Sequence, residues 1–333
     1  MLGYTGKPDS YYRAIINWVK QRYDLDVTKE MINFVPGIVP GIGMAMNSFT
    51  RPGDKVMIQP PVYHPFAWVT TRNERTLVTN PLKWENGMYR MDLDAFREQV
   101  KGCKLFILCN PHNPGGVVWT EDELRTVAEI CYEEKVLVFS DEIHADLTLP
   151  PYKHRPFATI SEKAKMNSVT FMSPSKAFNM PGLAASHAII FNEDLRARFR
   201  KFMDAGELDM GHVFAFLSVE AAYTHGTEWL DQCLAYIQGN IDYVDNFLKT
   251  HAPRIKAIRP QASYLVWLDC RELGLNQEAL NDFFADKAHL ALNDGAMFGK
   301  EGTGYMRLNV ASPRSVIEQA MKQLAEAYQE MSF

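Results

Sequence analysis

The sequence predicts an α/β protein of two domains: a large domain with a mostly parallel sheet sandwiched by helices, and a smaller α+β domain at the C-terminus. Strand-length apolar runs alternate with helical segments up to about residue 200, which is typical of a doubly wound sheet. A long periodic segment, residues 227–250, predicts a helix that links the domains. We therefore expect a large domain at residues 1–235 and a small one at residues 236–333.

The elements at the start of the large domain follow from local patterns. Ile15, Trp18 and Val19 recur at three- and four-residue steps, which predicts an amphipathic helix over residues 9–22. A strand is expected at residues 31–35. The glycine-containing segment after it enters a helix that runs to about Asn47, and a turn at residues 51–54 leads into a strand at residues 55–59.

The rest of the chain predicts a further helix in the large domain and then a shorter set of elements. A helix is expected at residues 212–224, ahead of the linking helix. Beyond the linking helix we expect strands at residues 264–268 and 305–310, with helices at residues 276–288 and after Pro313. These mixed elements predict the α+β domain.

Composition limits the classes of function. The chain has 333 residues, 47% of them hydrophobic, and a net charge of −5 with no basic block. A mildly acidic chain of this kind argues against nucleic acid or an anionic membrane surface as a partner. No apolar run approaches the length that a membrane-spanning helix needs, so we expect no membrane insertion.

The cysteines indicate a reducing compartment. There are five, an odd number, and none forms a Cys-x-x-Cys pair. Buried reduced thiols are the best interpretation, so we expect a cytoplasmic protein without a zinc site.

Reactive side chains follow three of the predicted strands. Asn113 comes after the apolar run 105–109, Asp141 and His144 after the run 136–139, and Lys176 after the run 169–172. Ligands bind outside the carboxyl ends of parallel strands, so these four side chains should meet in one crevice. The set fits pyridoxal 5′-phosphate (PLP), which needs a lysine for covalent attachment, a carboxylate for the pyridine nitrogen and polar groups for the ring oxygen.

The motifs in which these residues stand resemble those of fold type I PLP-dependent enzymes, the class I/II aminotransferase superfamily. The segments are Asn-Pro-His-Asn-Pro at 110–114, Ser-Asp-Glu-Ile-His at 140–144 and Ser-Pro-Ser-Lys-Ala-Phe at 173–178. Within that superfamily the chain resembles the cystathionine β-lyase, or C–S lyase, branch. Relatives carry about fifty residues before the segment matching Gly3-Tyr4-Thr5, and we expect this chain to lack them.

The resemblance implies roles for the cofactor residues. Lys176 would hold PLP covalently, Asp141 would pair with its pyridine nitrogen, and Tyr63 would stack on its ring. Asn113 and His144 are expected near the ring oxygen. Glu142 is the weaker candidate for the pyridine nitrogen, because adjacent residues of an extended segment point to opposite sides.

The phosphate of the cofactor is expected at the start of a helix. Gly37, Ile38 and Val39 precede that helix, and exposed backbone N–H groups there attract anions. Ser173 and Ser175 would add hydroxyl donors. The resemblance implies that Tyr4 reaches the phosphate of a neighbouring subunit, which predicts a homodimer with active sites near the interface. Many aminotransferases place an arginine at the position of Ala184, so the phosphate is less charge-compensated here.

The substrate is expected to be an amino acid held through its carboxylate. Arg307 presents a planar fork that matches a carboxylate, and Asn113 is a second candidate contact. The resemblance implies a PLP-dependent C–S β-lyase that cleaves cystathionine- or cysteine-type substrates to pyruvate, ammonia and a thiol. A class I/II aminotransferase and a non-catalytic or regulatory protein of the same fold remain the alternatives.

Overall fold

The computed structural model describes residue 3 and residues 5–331. Its helices are α1 Asp9–Tyr23, α2 Ile38–Phe49, α3 Pro65–Arg72, α4 Leu93–Gln99, α5 Glu121–Glu133, α6 Glu162–Met166, α7 Glu193–Ala205, α8 Val213–His225, α9 Thr227–His251, α10 Gln277–Asp282 and α11 Arg314–Gln329. Its strands are β1 Ile32–Val35, β2 Lys55–Ile58, β3 Thr76–Thr79, β4 Lys83–Glu85, β5 Met88–Arg90, β6 Cys103–Cys109, β7 Leu137–Asp141, β8 Ser168–Met172, β9 Ser186–Ile189, β10 Lys256–Ile258, β11 Leu265–Asp269, β12 Asn293–Asp294 and β13 Tyr305–Asn309.

The main sheet confirms the predicted fold class. Its seven strands lie in the order β1-β9-β8-β7-β6-β2-β3. The five strands from β8 to β3 are parallel to one another, and β9 is antiparallel to both of its neighbours. The central strands β6, β7 and β8 are therefore buried on both faces, as their nearly continuous apolar sequences predict.

Helices cover both faces of this sheet. Successive residues of β7 point to opposite sides, so Val138 packs with Val127 of α5, while Phe139 packs with Ile42 of α2 and Phe199 of α7. This two-sided cover is the reason that strand ends, rather than strand faces, are free to bind ligands.

The C-terminal part of the chain forms a second, antiparallel sheet in the order β10-β11-β13-β12. Helix α9 packs beside it and buries Ile241 and Val244 with Val266 of β11 and Leu308 of β13. The long helix expected at residues 227–250 is observed as Thr227–His251.

One element differs from its prediction. The helix expected over residues 276–288 is α-helical only to Asp282 and continues as a π-helical turn, Phe283–Lys287. Both Phe283 and Phe284 are buried. A regular α-helix would place two consecutive phenyl rings about 100° apart around its axis. In the wider π-helical turn both rings enter the core.

Among the described residues no helix is both long enough and apolar enough to cross a membrane.

Candidate active site

A cavity of about 370 Å³ lies at the carboxyl ends of the central strands. Cys109 of β6, Asp141 of β7 and Phe171 of β8 are aligned in register, so the residues that follow these strands meet at one edge. The predicted site residues that line the cavity are Gly37, Ile38, Val39, Tyr63, Asn113, Asp141, His144, Ser175, Lys176 and Arg307.

One of the predicted residues does not line the cavity. The Ser173 hydroxyl lies 2.7 Å from the carbonyl oxygen of Ala185 and 2.9 Å from Ser175 Oγ, and Ser173 is not among the residues that line the cavity. Ser173 also accepts a hydrogen bond from the backbone N–H of Ser175, so it fixes the loop that presents Lys176. Tyr4 lies outside the described residues.

Asp141 is the last residue of β7 and is almost completely buried. One of its carboxylate oxygens accepts a hydrogen bond of 3.1 Å from the backbone N–H of Ile143. Burial raises the pKa of this carboxyl to about 7, and the neighbouring Lys176 opposes the shift. A carboxylate that is this costly to ionise in isolation is well suited to a cationic partner in the cavity.

Glu142 faces away from the cavity, as expected for the next residue of an extended segment. Its carboxylate accepts hydrogen bonds from Ser140 Oγ at 2.8 Å and from the backbone N–H of Phe157 at 2.9 Å, and it contacts His154 Nε2 at 2.7 Å. These contacts engage both oxygens of the Glu142 carboxylate, which leaves Asp141 as the acid of this strand end that faces the cavity.

Lys176 follows β8 on the buried loop that Ser173 fixes. Burial lowers the pKa of its ammonium, and the charge of Arg307 lowers it further, while Asp141 acts in the opposite direction. A lysine with a lowered pKa supplies more of the neutral amine, which is the form that attacks an aldehyde or takes a proton from carbon.

The end of the cavity beside helix α2 is built for an anion. Gly37 is the N-terminal cap residue of the helix, and its φ of 155° falls in a region that favours glycine. The N-terminal residues Ile38 and Val39 line the cavity together with Ser175 and Ser186. Helix N–H groups and hydroxyls at one place can bind a phosphate.

His144 lies just beyond Asp141 on the same wall. Burial lowers its pKa to about 3, helped by the charges of Lys176 and Arg307, so its imidazole is neutral. Its ring is edge-on to Tyr264, with 6.3 Å between ring centroids, and its buried Nδ1 has no hydrogen-bond partner among the described residues. A buried, unsatisfied nitrogen at a cavity wall is available for an oxygen of a ligand.

Arg307 on β13 closes the cavity from the small sheet. One Nη donates to Asn113 Oδ1 at 2.9 Å and the other to Asn293 Oδ1 at 2.7 Å, and the guanidinium lies 4.7 Å from the ring centroid of Phe298. Its Nε is buried without a partner among the described residues. The arginine is thus held in place with donor capacity left for a carboxylate.

Sequence reasoning missed several residues that line the cavity or support it. Ile143 and Tyr63 both line it, and both pack on the same buried cluster, so they can enclose a flat ring. Ser186 of β9 and Tyr264 also line the cavity, and Asn293 supports it by accepting a hydrogen bond from Arg307. Ile143 was within reach of prediction, since it is the second residue after Asp141, whereas the other three lie on elements without a local motif.

These residues fit PLP. Its aldehyde requires an amine, its pyridine nitrogen a carboxylate, its ring oxygen polar neighbours and its phosphate a cluster of N–H and O–H donors. Lys176, Asp141, the Asn113–His144 pair and the start of α2 offer these groups around one cavity. Fold and site together define a cofactor-binding α/β protein of the fold type I kind.

Comparison with known proteins gives the family. The model for "Aminotransferase class I and II" matches residues 3–324, so the chain belongs to that family. This match confirms the resemblance inferred from the motifs.

Similar proteins lie in the lyase branch of the family. Cystathionine beta-lyase PatB of Bacillus subtilis is 38% identical over 98% of this chain and 85% of its own length. The structure of cystalysin from Treponema denticola, which contains a pyridoxal 5′-phosphate cofactor, matches with a TM-score of 0.97 at 35% identity and covers 100% of this chain and 85% of that one. The PLP-bound C–S lyase of Staphylococcus hominis matches with a TM-score of 0.92 at 33% identity, over 100% and 87% of the two chains.

Proposed function

We propose that this protein is a PLP-dependent carbon–sulfur β-lyase that converts cysteine-type substrates, cystathionine among them, to pyruvate, ammonia and a thiol. The observation that carries the proposal is a single cavity lined by Lys176, Asp141 and Arg307 in a chain 38% identical to a cystathionine β-lyase. A covalent lysine, a buried carboxylate and a carboxylate clamp are what this reaction requires of a protein.

The cofactor would be held along the length of the cavity. Lys176 would hold it covalently through Nζ, Asp141 would keep its pyridine nitrogen protonated, and Tyr63 and Ile143 would enclose its ring. The N-terminal N–H groups of α2, with Ser175 and Ser186, would bind its phosphate. When bound, PLP withdraws electrons from the substrate Cα and so makes the proton on that carbon acidic.

The protein then has to place the substrate and move one proton. The guanidinium of Arg307 would bind the substrate carboxylate and so fix the position of the Cα. The Lys176 amine would take the proton from Cα. The bond from Cβ to sulfur breaks, the sulfur leaves as a thiolate with the bonding electrons, and hydrolysis of the remainder gives pyruvate and ammonia.

An aminotransferase is the second candidate, because the family model covers that activity and the same lysine serves it. The two differ in their products. An aminotransferase would give the keto acid of its substrate and pass the amino group to a second keto acid, while loss of the thiolate gives pyruvate. His144 and the alanine at position 184 favour the lyase, as the resemblance to that branch implies.

The test is a product assay with purified protein and added PLP. Incubation with cystathionine or a cysteine conjugate should release pyruvate and thiol in equal amounts, without any keto acid acceptor. Incubation with an amino acid and 2-oxoglutarate should give little glutamate. Glutamate formation without thiol release would establish the aminotransferase, and neither product would indicate a non-catalytic protein.

We further propose a cytoplasmic homodimer with its active sites near the subunit interface, and a division into domains at about residue 235. That boundary falls inside helix α9, so the helix would belong to both domains. Support for the dimer is the resemblance to the lyase branch. Sedimentation at micromolar concentration should give twice the mass of the chain, and a monomer with full cofactor occupancy would refute it.

A further inference from the structure

The catalytic cavity has few charged residues, and each of them has a role in the proposed reaction. Among the described residues that line it, Asp141, Lys176 and Arg307 are the charged ones, since His144 is neutral. Under the proposed function, Asp141 and Lys176 serve the cofactor and Arg307 binds the substrate carboxylate. No charged group of this lining is left to receive a second charge on the substrate side chain.

A second cleft, of about 420 Å³, adjoins this cavity at Lys176. Lys176, Tyr264 and Asn309 line both spaces. Apart from Lys176 the lining of the cleft is uncharged, and much of it comes from the first turns of α9, with Trp229, Cys233, Tyr236 and Ile237. Trp229 and Tyr236 are each 49% exposed, so the cleft is open to solvent along this side of α9.

Arg314, the first residue of helix α11, does not line the cleft. Arg314 Nε donates to Asn240 Oδ1 at 2.8 Å, and its guanidinium lies 4.9 Å from the ring centroid of Tyr243. Its backbone N–H donates to the Tyr236 hydroxyl at 2.6 Å. These contacts fix one wall of the cleft without adding a charge to it.

The position of the cleft matches the direction of the leaving group. Lys176 Nζ has to reach the substrate Cα, and the sulfur is attached to Cβ, the next carbon. The sulfur therefore lies close to Lys176, and the uncharged cleft begins at this lysine. Moving a charged group from water into surroundings without a partner costs free energy that an apolar group does not incur.

We propose that this cleft is the subsite for the sulfur substituent, and that it selects cysteine conjugates whose substituent is uncharged, either alkyl or aryl. Cystathionine is then a poor substrate, because its departing half carries an ammonium and a carboxylate of its own. This inference rests on the proposed lyase function and narrows the class of substrate for it.

Four substrates test the inference: S-butyl-L-cysteine, S-benzyl-L-cysteine, S-(2-carboxyethyl)-L-cysteine and L-cystathionine. We expect kcat/KM for pyruvate release to be at least about tenfold higher for the butyl and benzyl conjugates than for the two charged ones. The butyl and carboxyethyl groups are similar in length, so their ratio isolates the charge.

Each outcome decides one of the two proposals. Equal kcat/KM for the butyl and carboxyethyl conjugates would overturn the uncharged subsite and leave the lyase function intact. The same holds if cystathionine is the best of the four. Absence of pyruvate with all four substrates and with cysteine would overturn the lyase function itself.

A matched pair of variants locates the subsite. Ala311 lines the cleft and is exposed, while Ala235 is exposed on α9 and does not line it. A311R places a cation at the cleft and should raise the carboxyethyl-to-butyl ratio of kcat/KM by roughly two- to fivefold, the range of an exposed ion pair. A235R should leave the ratio unchanged. An equal change in both variants, or none in A311R, would place the sulfur substituent elsewhere.

Discussion

The two walls of the active site are built in different ways. The cofactor wall consists of residues at or just beyond the ends of β6, β7 and β8, and its acidic member Asp141 is buried. The opposite wall comes from Arg307 on the small sheet and from side chains of α9 that remain half exposed. Backbone therefore positions the groups that do chemistry, while side chains on separate elements shape the space for the substrate. The predictions below probe each wall in turn.

The cofactor wall should be the more sensitive of the two, and Lys176 its most sensitive residue. K176A removes both the covalent attachment and the base for the Cα proton, so kcat should fall by roughly 10⁴- to 10⁶-fold, as for other residues that perform the chemistry. Pyruvate release measures the loss. Borohydride reduction of the wild-type protein, followed by peptide mass analysis, should find the cofactor on the peptide containing Lys176.

The control for this variant is K322A, which removes an exposed lysine of α11 and should leave both assays unchanged. A cofactor label on any lysine other than Lys176 would show that the cofactor wall has been assigned wrongly.

The contrast between the walls also explains what could be predicted from the sequence. Asn113, Asp141 and Lys176 were predictable because each follows a recognisable apolar run, and parallel strands bring their carboxyl ends together. Ser173 stands in the same motif as Lys176, but no pattern distinguishes a hydroxyl that binds ligand from one that fixes the loop.

The substrate wall was predictable only in part. Arg307 was predicted as the group that binds the substrate carboxylate, but its partner Asn293 belongs to a two-residue strand that has no sequence pattern of its own. The cleft beside α9 depends on how that helix packs against the segment 309–313, which is a tertiary contact. The π-helical turn after α10 also depends on tertiary packing, because it accompanies the burial of the two consecutive residues Phe283 and Phe284.

The buried Asp141 of the cofactor wall lowers the stability of the cofactor-free protein at neutral pH. The pKa of Asp141 is about 7 in the folded protein against 3.8 for an ordinary aspartate. The folded state thus holds its proton more tightly, so Asp141 makes the cofactor-free protein progressively less stable as the pH rises from about 4 to 7. A pKa raised from 3.8 to about 7 corresponds to at most about 4 kcal/mol.

D141N should remove this cost. Without cofactor, the variant should unfold at a higher temperature than the wild type at pH 8, and the difference should shrink towards pH 5. With cofactor, it should lose most of its turnover, since an amide cannot keep the pyridine nitrogen protonated. Calorimetry at the two pH values, with pyruvate assays in parallel, measures both effects. A wild-type rate in D141N would remove Asp141 from its proposed role.

The smallest effect is expected on the substrate wall, at Asn293. Its side-chain oxygen accepts one of the two hydrogen bonds that hold the Arg307 guanidinium, and Asn113 accepts the other. N293A leaves Arg307 charged and still bound to Asn113, so the substrate carboxylate should bind less well while the chemical step is unaffected. Loss of one such hydrogen bond, about 1 kcal/mol, predicts a KM increase of roughly fivefold at constant kcat.

The control is N281A, because Asn281 donates to Asp294 beside Asn293 but has no hydrogen bond to Arg307. If N281A raises KM as much as N293A, the effect comes from the local fold of β12 rather than from the arginine. If N293A instead lowers kcat and leaves KM unchanged, Arg307 acts on the chemical step, and the proposed separation between a chemical wall and a substrate wall fails.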